Sequence, residues 1–383
     1  MKKYSYLLGL FLVTTCIIWS CSDDDPNTTN PSGSDGFDRQ LMLTNWTDNI
    51  IVPAFQAVNT EVTALKSAAD AFETDATQTN FNALRSAWES AYIAWQQVDM
   101  FVHGPVEDIA YITDRVSFIN AYPTNSGSID TFITSGSYDL TANNTSDEQG
   151  FPALDYLLYG LADNDTDILA FYTGTNASNY LNYLTDVTDR LQSLVAQIEA
   201  QWSGTYRTSF INNSGSSSSS SVDLFTNDWL RYFELIFRNG KIGIPSGNFT
   251  ATQSGNPEPE KVEAFYRKDL SKTLALTAIN AFKDFFKGNH FGSNGTGASF
   301  EDYLNFVNGV SGTSAVSDAI NTQLDATISA INDLDNNFYN QINTNNSAMS
   351  SVYDVIQANV VFIKVDMLSA LSIDVLFQSG DGD

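Results

Sequence analysis

Histidine and cysteine are nearly absent, two of each in 383 residues. A three-histidine metal site is therefore out of reach, the zinc-protease helix His-Glu-x-x-His does not occur, and a serine triad would have to be built on His103 or His290. Neither histidine has a Gly-x-Ser-x-Gly turn nearby, and Gly127-Ser128 and Ser246-Gly247 read as ordinary turns. Basic residues are also scarce. Eighteen Lys and Arg stand against 45 Asp and Glu, a formal charge of −27, which excludes nucleic acid as a partner. No apolar run is long enough to span a bilayer, and nothing alternates at period two long enough to argue a sheet.

The apolar run that does occur, Leu7 to Trp19 behind Lys2 and Lys3, ends in Ile18-Trp19-Ser20-Cys21. It reads as a lipoprotein signal peptide over residues 1–20, with Cys21 carrying lipid, the attachment of an outer-membrane lipoprotein that is periplasmic or surface-exposed. Cleavage there removes Cys16, leaves neither a free thiol nor a disulfide, and takes the charge to −29, 16 basic against 45 acidic residues. Ser22-Asp23-Asp24-Asp25 resembles the acidic export signal of surface lipoproteins in the Bacteroidetes group, and reads equally as a solvated tether. Residues 26–36 are turn formers and polar residues, so 21–37 reads as a flexible tether.

The remaining chain, roughly 345 residues, is long enough for two domains. Its apolar residues recur at helical spacing. Leu41 to Leu65 follow a broken period that Pro53 should kink or interrupt. Phe81, Leu84, Trp88, Tyr92, Trp95 and Val98 form an aromatic stripe behind an N-cap at Thr79-Asn80, and Gly104-Pro105 should stop that helix. Long stripes follow from Ala177 to Trp202, Leu224 to Ile242, Leu274 to Phe286, Val316 to Ile342 and Met349 to Leu376. The serine tract Ser214 to Ser221 cannot form a core and divides the chain into helical domains at 38–213 and 222–383. The expected class is all-α, with helices packed as bundles.

Gly150-Phe151-Pro152-Ala153-Leu154-Asp155-Tyr156-Leu157-Leu158-Tyr159-Gly160 is a short helix, apolar on most sides, with a single carboxylate. Burying that carboxylate unpaired is expensive, so Asp155 marks either a polar edge or a prepared pocket. The segment resembles the signature of imelysin-like proteins: Gly-x-His-x-x-Glu, then an aromatic, two leucines, an aromatic and Gly. Pro152 stands where that family has His, and Asp155 where it has Glu. A second match is Trp88, Trp95, Asp99, Phe101, Gly104 and Pro105, again with Asp for Glu, and His103 where an aromatic is usual. Ile129-Asp130, the Lys241-Ile242-Gly243-Ile244-Pro245 turn, the run from Pro257 to Tyr266 and the closing Asp-Gly-Asp are similar to further family segments.

The resemblance implies two four-helix-bundle-like domains facing each other, a role in iron uptake, and iron-uptake or surface proteins as partners. It also implies a ligand site at the cleft between the domains. Asp155, Asp99, Glu107, Asp108 and Glu263 lie in the matching segments, an oxygen-rich set suited to ferric iron or another hard cation, with Asp155 the metal ligand. His103 is the candidate to replace the missing family histidine. Each acid also has a plain reading: Glu107 and Asp108 suit the start of a helix, whereas Asp99, near a helix end, does not suit its dipole. With Pro152 in the motif, the metallopeptidase activity implied by the family name is not expected. The aromatic content suggests a surface glycan or protein binder as a further alternative.

Overall fold

Pro53 decides how the first long helix is built. The computed structural model describes residues 35–113, 116–249, 255–311 and 315–377. Within it the chain runs from the helix Arg39–Asn45 through a π-helical stretch, Trp46–Ile51, into Val52–Thr74 without leaving right-handed backbone. The break expected at Pro53 thus takes the form of wide turns just before it. Proline has no N–H for the Asn49 carbonyl four residues back, and that carbonyl accepts the Phe291 N–H at 2.8 Å. Trp46, in the wide stretch, packs against Phe225, Phe285 and Phe300 with ring centroids 4.6 to 5.1 Å away. The start of the chain is therefore tied to aromatic residues more than 170 positions later.

The class is all-α, as the periodicity requires. Among the described residues the exceptions are a two-stranded antiparallel ribbon, Tyr111–Thr113 with Val116–Ser117, and an isolated bridge between Asn289 and Thr296. One group of helices consists of Val52–Thr74, Gln78–Trp95 and Ala177–Ser203, with Gly150–Asp155 packed on the last. The other consists of Ser271–Phe286, Val316–Asn332 and Phe338–Val361, with a twelve-residue π-helix, Tyr232–Gly243, against the last. The described residues all belong to one compact unit with one continuous core. No described helix is long and apolar enough to cross a membrane. The expected signal peptide, Cys21, residues 21–34 of the tether and the closing Asp-Gly-Asp lie outside the described residues.

Several boundaries differ from the periodicity. The second helix is capped by Thr77, whose side chain accepts the Asn80 N–H, two residues before the expected cap. Gly104-Pro105 opens a helix, Pro105–Ala110, rather than closing one: the previous helix has ended at Trp95, and Glu107 and Asp108 sit in the new first turn. The stripe from Val316 to Ile342 is two helices. Apolar spacing continues across the turn at 333–337, while Asn337 caps the second helix by accepting the Asn340 N–H. That second helix absorbs the start expected at Met349 and bends at Asn345. In the serine tract, Ser214, Ser220 and Ser221 are buried, Ser220 caps Ser221–Arg231, and Gly215 accepts a hydrogen bond from Arg39 at 2.9 Å.

The motif helix begins as expected, and both of its glycines have a steric reason. Gly150 has a φ of +73°, and a Cβ there would lie 2.2 Å from the Ile119 carbonyl oxygen. That same carbonyl accepts the Phe151 N–H at 2.9 Å, so the approach is fixed by backbone on both sides. A Cβ on Gly160 would lie 2.4 Å from the Tyr266 ring. Gly150→Ala should cost about 3 kcal/mol or more, from left-handed strain plus the clash. Urea denaturation of the variant checks this; a midpoint unchanged from the wild type would contradict it.

Candidate functional site

Asp155 closes the helix Gly150–Asp155, which continues as π turns over Tyr156–Gly160. Pro152 is in the first turn, where a missing N–H costs nothing. The widened turns leave carbonyls to be satisfied from outside: Leu157 by the Tyr172 hydroxyl at 2.7 Å, Leu158 by the Arg85 guanidinium at 2.6 and 3.0 Å. Trp88 donates to the Phe151 carbonyl at 3.2 Å, and Tyr92 stacks on the Phe151 ring. The helix is thereby held from the aromatic stripe seen in the sequence.

The Asp155 carboxylate is buried, and both of its oxygens are used. Oδ2 accepts the Tyr266 N–H and Oδ1 the Arg267 N–H, each at 2.8 Å. These donors point inward because the backbone around them is bent: Ala264 and Lys268, on either side, have φ of +56° and +63°. Left-handed backbone at two residues that are not glycine is costly and is retained where the surroundings hold it. Burial pushes Asp155 up to about 7, against the pull of the two N–H groups and Arg267. Arg267 is in turn paired with Glu89 at 2.5 Å, and Glu89 also accepts the Tyr159 hydroxyl. Beside this latch lies a cavity of about 180 Å³, bordered by Tyr122, Pro152, Asp155, Glu260, Phe265 and Tyr266.

Asp99 and Glu263 meet in a second, fully buried cluster. Glu263 pairs with Lys241 and accepts Gln96 at 3.0 Å, Asn120 at 2.9 Å and the Tyr92 hydroxyl at 3.2 Å. Lys241 also donates to Gln96 at 2.7 Å. Asp99 accepts the Trp95 indole N–H at 3.0 Å, and its Oδ2 has no partner of good geometry. Burial pushes Asp99 up to about 6, with Lys241 pulling it down and Glu263 pushing it further up. Asp99 thus stands beside the Lys241–Glu263 network, with Trp95 as its hydrogen-bond donor.

The other predicted residues lie elsewhere. His103 is hydrogen-bonded through Nδ1 to Asp228 at 2.7 Å, among the rings of Phe210 and Phe225. Asp228 and Glu107 both pair with Arg231, at 3.0 and 3.2 Å. Asp108 is exposed. The imidazole expected to complete an Asp155 site is thus engaged with Asp228. Among the described residues no three His, Cys, Asp or Glu side chains come together as a metal would need. With Pro152 offering no donor and Asp155 holding two N–H groups, the residues here do not fit a bare hard cation.

Lys241 and the donors at residues 266 and 267 were not legible as site groups. Lys241 read as part of a helix-ending turn, although a lone lysine on a stripe of Phe233, Phe237 and Ile242 is itself a signal of a buried pair. Backbone donors carry no signal in side-chain identity.

The imelysin family profile, peptidase family M75, matches residues 51–359. The chain belongs to the imelysin family. Iron-regulated protein A of Synechococcus elongatus is 22% identical to it over 169 residues, 41% of either protein. The match thus spans less than half of that relative. Two solved imelysin-type structures share the fold. One, from Parabacteroides distasonis, is described as an iron-regulated protein A precursor; it is 19% identical with a TM-score of 0.69, covering 90% of this chain and 97% of that one. The other, an imelysin-like protein of Psychrobacter arcticus, is 18% identical with a TM-score of 0.66, covering 88% and 97%. In this imelysin, then, the signature acid is present as a carboxylate that holds backbone.

Two outcomes follow for the buried network. Lys241→Met should cost about 3–5 kcal/mol by stranding Glu263, whereas Lys241→Met with Glu263→Leu should regain most of it. Urea denaturation of the wild type, Lys241→Met, Glu263→Leu and the double variant gives the coupling, and additive losses would show that the two residues are not coupled. For Asp99 the folded value is raised above its ordinary 3.8, so its contribution is fully present below about pH 4 and lost as pH rises through about 6. Asp99→Asn should therefore match the wild type near pH 4 and exceed it at pH 8, by on the order of 2 kcal/mol. A difference that does not vary with pH would refute the assignment.

Proposed function

We propose that this imelysin is a non-catalytic binding protein of the cell envelope that serves iron acquisition, and that it takes an iron-bearing organic ligand in preference to a free ion. The observation that carries this reading is the double N–H occupancy of Asp155 beside a cavity walled by Tyr122, Phe265, Tyr266 and Pro152. A free ferric ion would have to strip two backbone donors from the only carboxylate of the motif. A chelate brings its own oxygens to the iron and needs to seat only one edge in a cavity of this size, against its largely apolar wall. The link to iron comes from the relatives named iron-regulated protein A. Lipid at Cys21 would hold the protein at the outer membrane, on the periplasmic side or at the surface, within reach of iron-uptake proteins. The strong negative charge leaves nucleic acid out of consideration.

The experiment is a titration, followed by tryptophan fluorescence, with ferric trihydroxamate, ferric nitrilotriacetate and the same chelators without iron. Saturable binding of a ferric chelate, weakened about tenfold or more by Tyr266→Ala, is the expected result. Protein purified without chelator that retains stoichiometric iron would overturn the preference for a chelate. Metal-dependent cleavage of denatured casein would overturn the non-catalytic reading.

A further inference from the structure

A larger cavity of about 540 Å³, within the range of small-molecule sites, shares Tyr122 and Pro123 with the cavity beside the latch. Its wall is apolar: Val116 and Ala121 from one side, Leu235, Ile236 and Ile244 from the other. The second side is built by the π-helix Tyr232–Gly243 and the turn after it. Twelve consecutive residues of π-helix are unusual, because π turns mostly occur singly, and they concentrate at functional sites.

The charged groups at the rim are unequal. Lys261 is already paired with Glu258 at 2.8 Å. Asp147 has no cationic partner among the described residues, and its buried neighbour Glu148 is pushed up to about 7 by burial and by the Asp147 carboxylate to which its side chain is hydrogen-bonded. The backbone that presents Asp147 is fixed. Its carbonyl accepts the Thr124 hydroxyl at 2.6 Å and the Asn125 N–H at 2.8 Å, and the Glu148 carbonyl accepts the Tyr183 hydroxyl at 2.6 Å. A largely apolar chamber thus has one carboxylate without a cationic partner in its lining, on a backbone held in place, in a protein whose overall field draws cations.

We infer that this cavity is a second binding site, for a small organic cation whose apolar body lies among Leu235, Ile236, Ile244 and the Tyr122 ring and whose ammonium meets Asp147. Three probes of one shape and different charge test it on the full chain by calorimetry at pH 8: 2-phenylethylamine, 2-phenylethanol and 3-phenylpropionate. The amine should bind in about the millimolar range and about tenfold more tightly than the other two. Asp147→Asn, at a half-exposed position, should reduce the amine to the level of the alcohol. Ile236→Trp should obstruct the chamber and weaken binding of all three. Equal binding of amine and acid, no effect of Asp147→Asn, or no binding of any probe would each overturn the inference. A ferric chelate added to saturation should leave amine binding unchanged, so the fate of this site is read separately from that of the latch cavity.

Discussion

A carboxylate that accepts two backbone N–H groups from a distant segment is the constraint on which this structure turns. Asp155 sits at the end of a six-residue helix, and Tyr266 and Arg267 belong to a loop 111 and 112 positions later. Without that acceptor the two inward-pointing donors would be buried and unsatisfied, and the left-handed Ala264 and Lys268 would have nothing to hold them. The same loop begins with Glu263, whose ion pair with Lys241 is surrounded by Gln96, Asn120 and Tyr92. One irregular segment, 263–268, is therefore clamped at one end by a buried ion pair and in its middle by Asp155.

This arrangement gives both glycines of the signature segment a structural reason. Gly150 lets the chain pass over the Ile119 carbonyl, Gly160 makes room for the Tyr266 ring, and the π turns between them expose carbonyls that Tyr172 and Arg85 take up. Pro152 fits the first turn without penalty, so replacing a side chain that could bind an ion with one that cannot leaves the helix undisturbed. The integrity of this segment rests on backbone contacts and on the side chains that meet its carbonyls.

The two cavities inherit their character from these clamps. The smaller is bordered by the latch and by rings, and the larger by a π-helix and a rim carboxylate, with Tyr122 and Pro123 common to both. The π-helix that carries Lys241 into the buried network also supplies Leu235 and Ile236 to the larger chamber.

Much was legible from residue order alone. Helical spacing gave the all-α class and most of the long helices, because one buried stripe per helix is a local pattern that survives packing. It failed at Val316–Ile342, where apolar spacing runs through a turn set by Asn337, and at Gly104-Pro105, where a proline that can end one helix begins the next. Asp155 stood out because an acid in an apolar helix must be compensated, and Asp99 because an acid near a helix end does not suit the dipole. What compensates them was decided only by the tertiary structure. The Asp155 partners are main-chain N–H groups, which every residue but proline has, and Lys241 and Glu263 meet across 22 positions through an irregular loop. Hydrogen bonds to backbone and pairs closed by loops leave no periodic trace, so they exist only once the chain has folded.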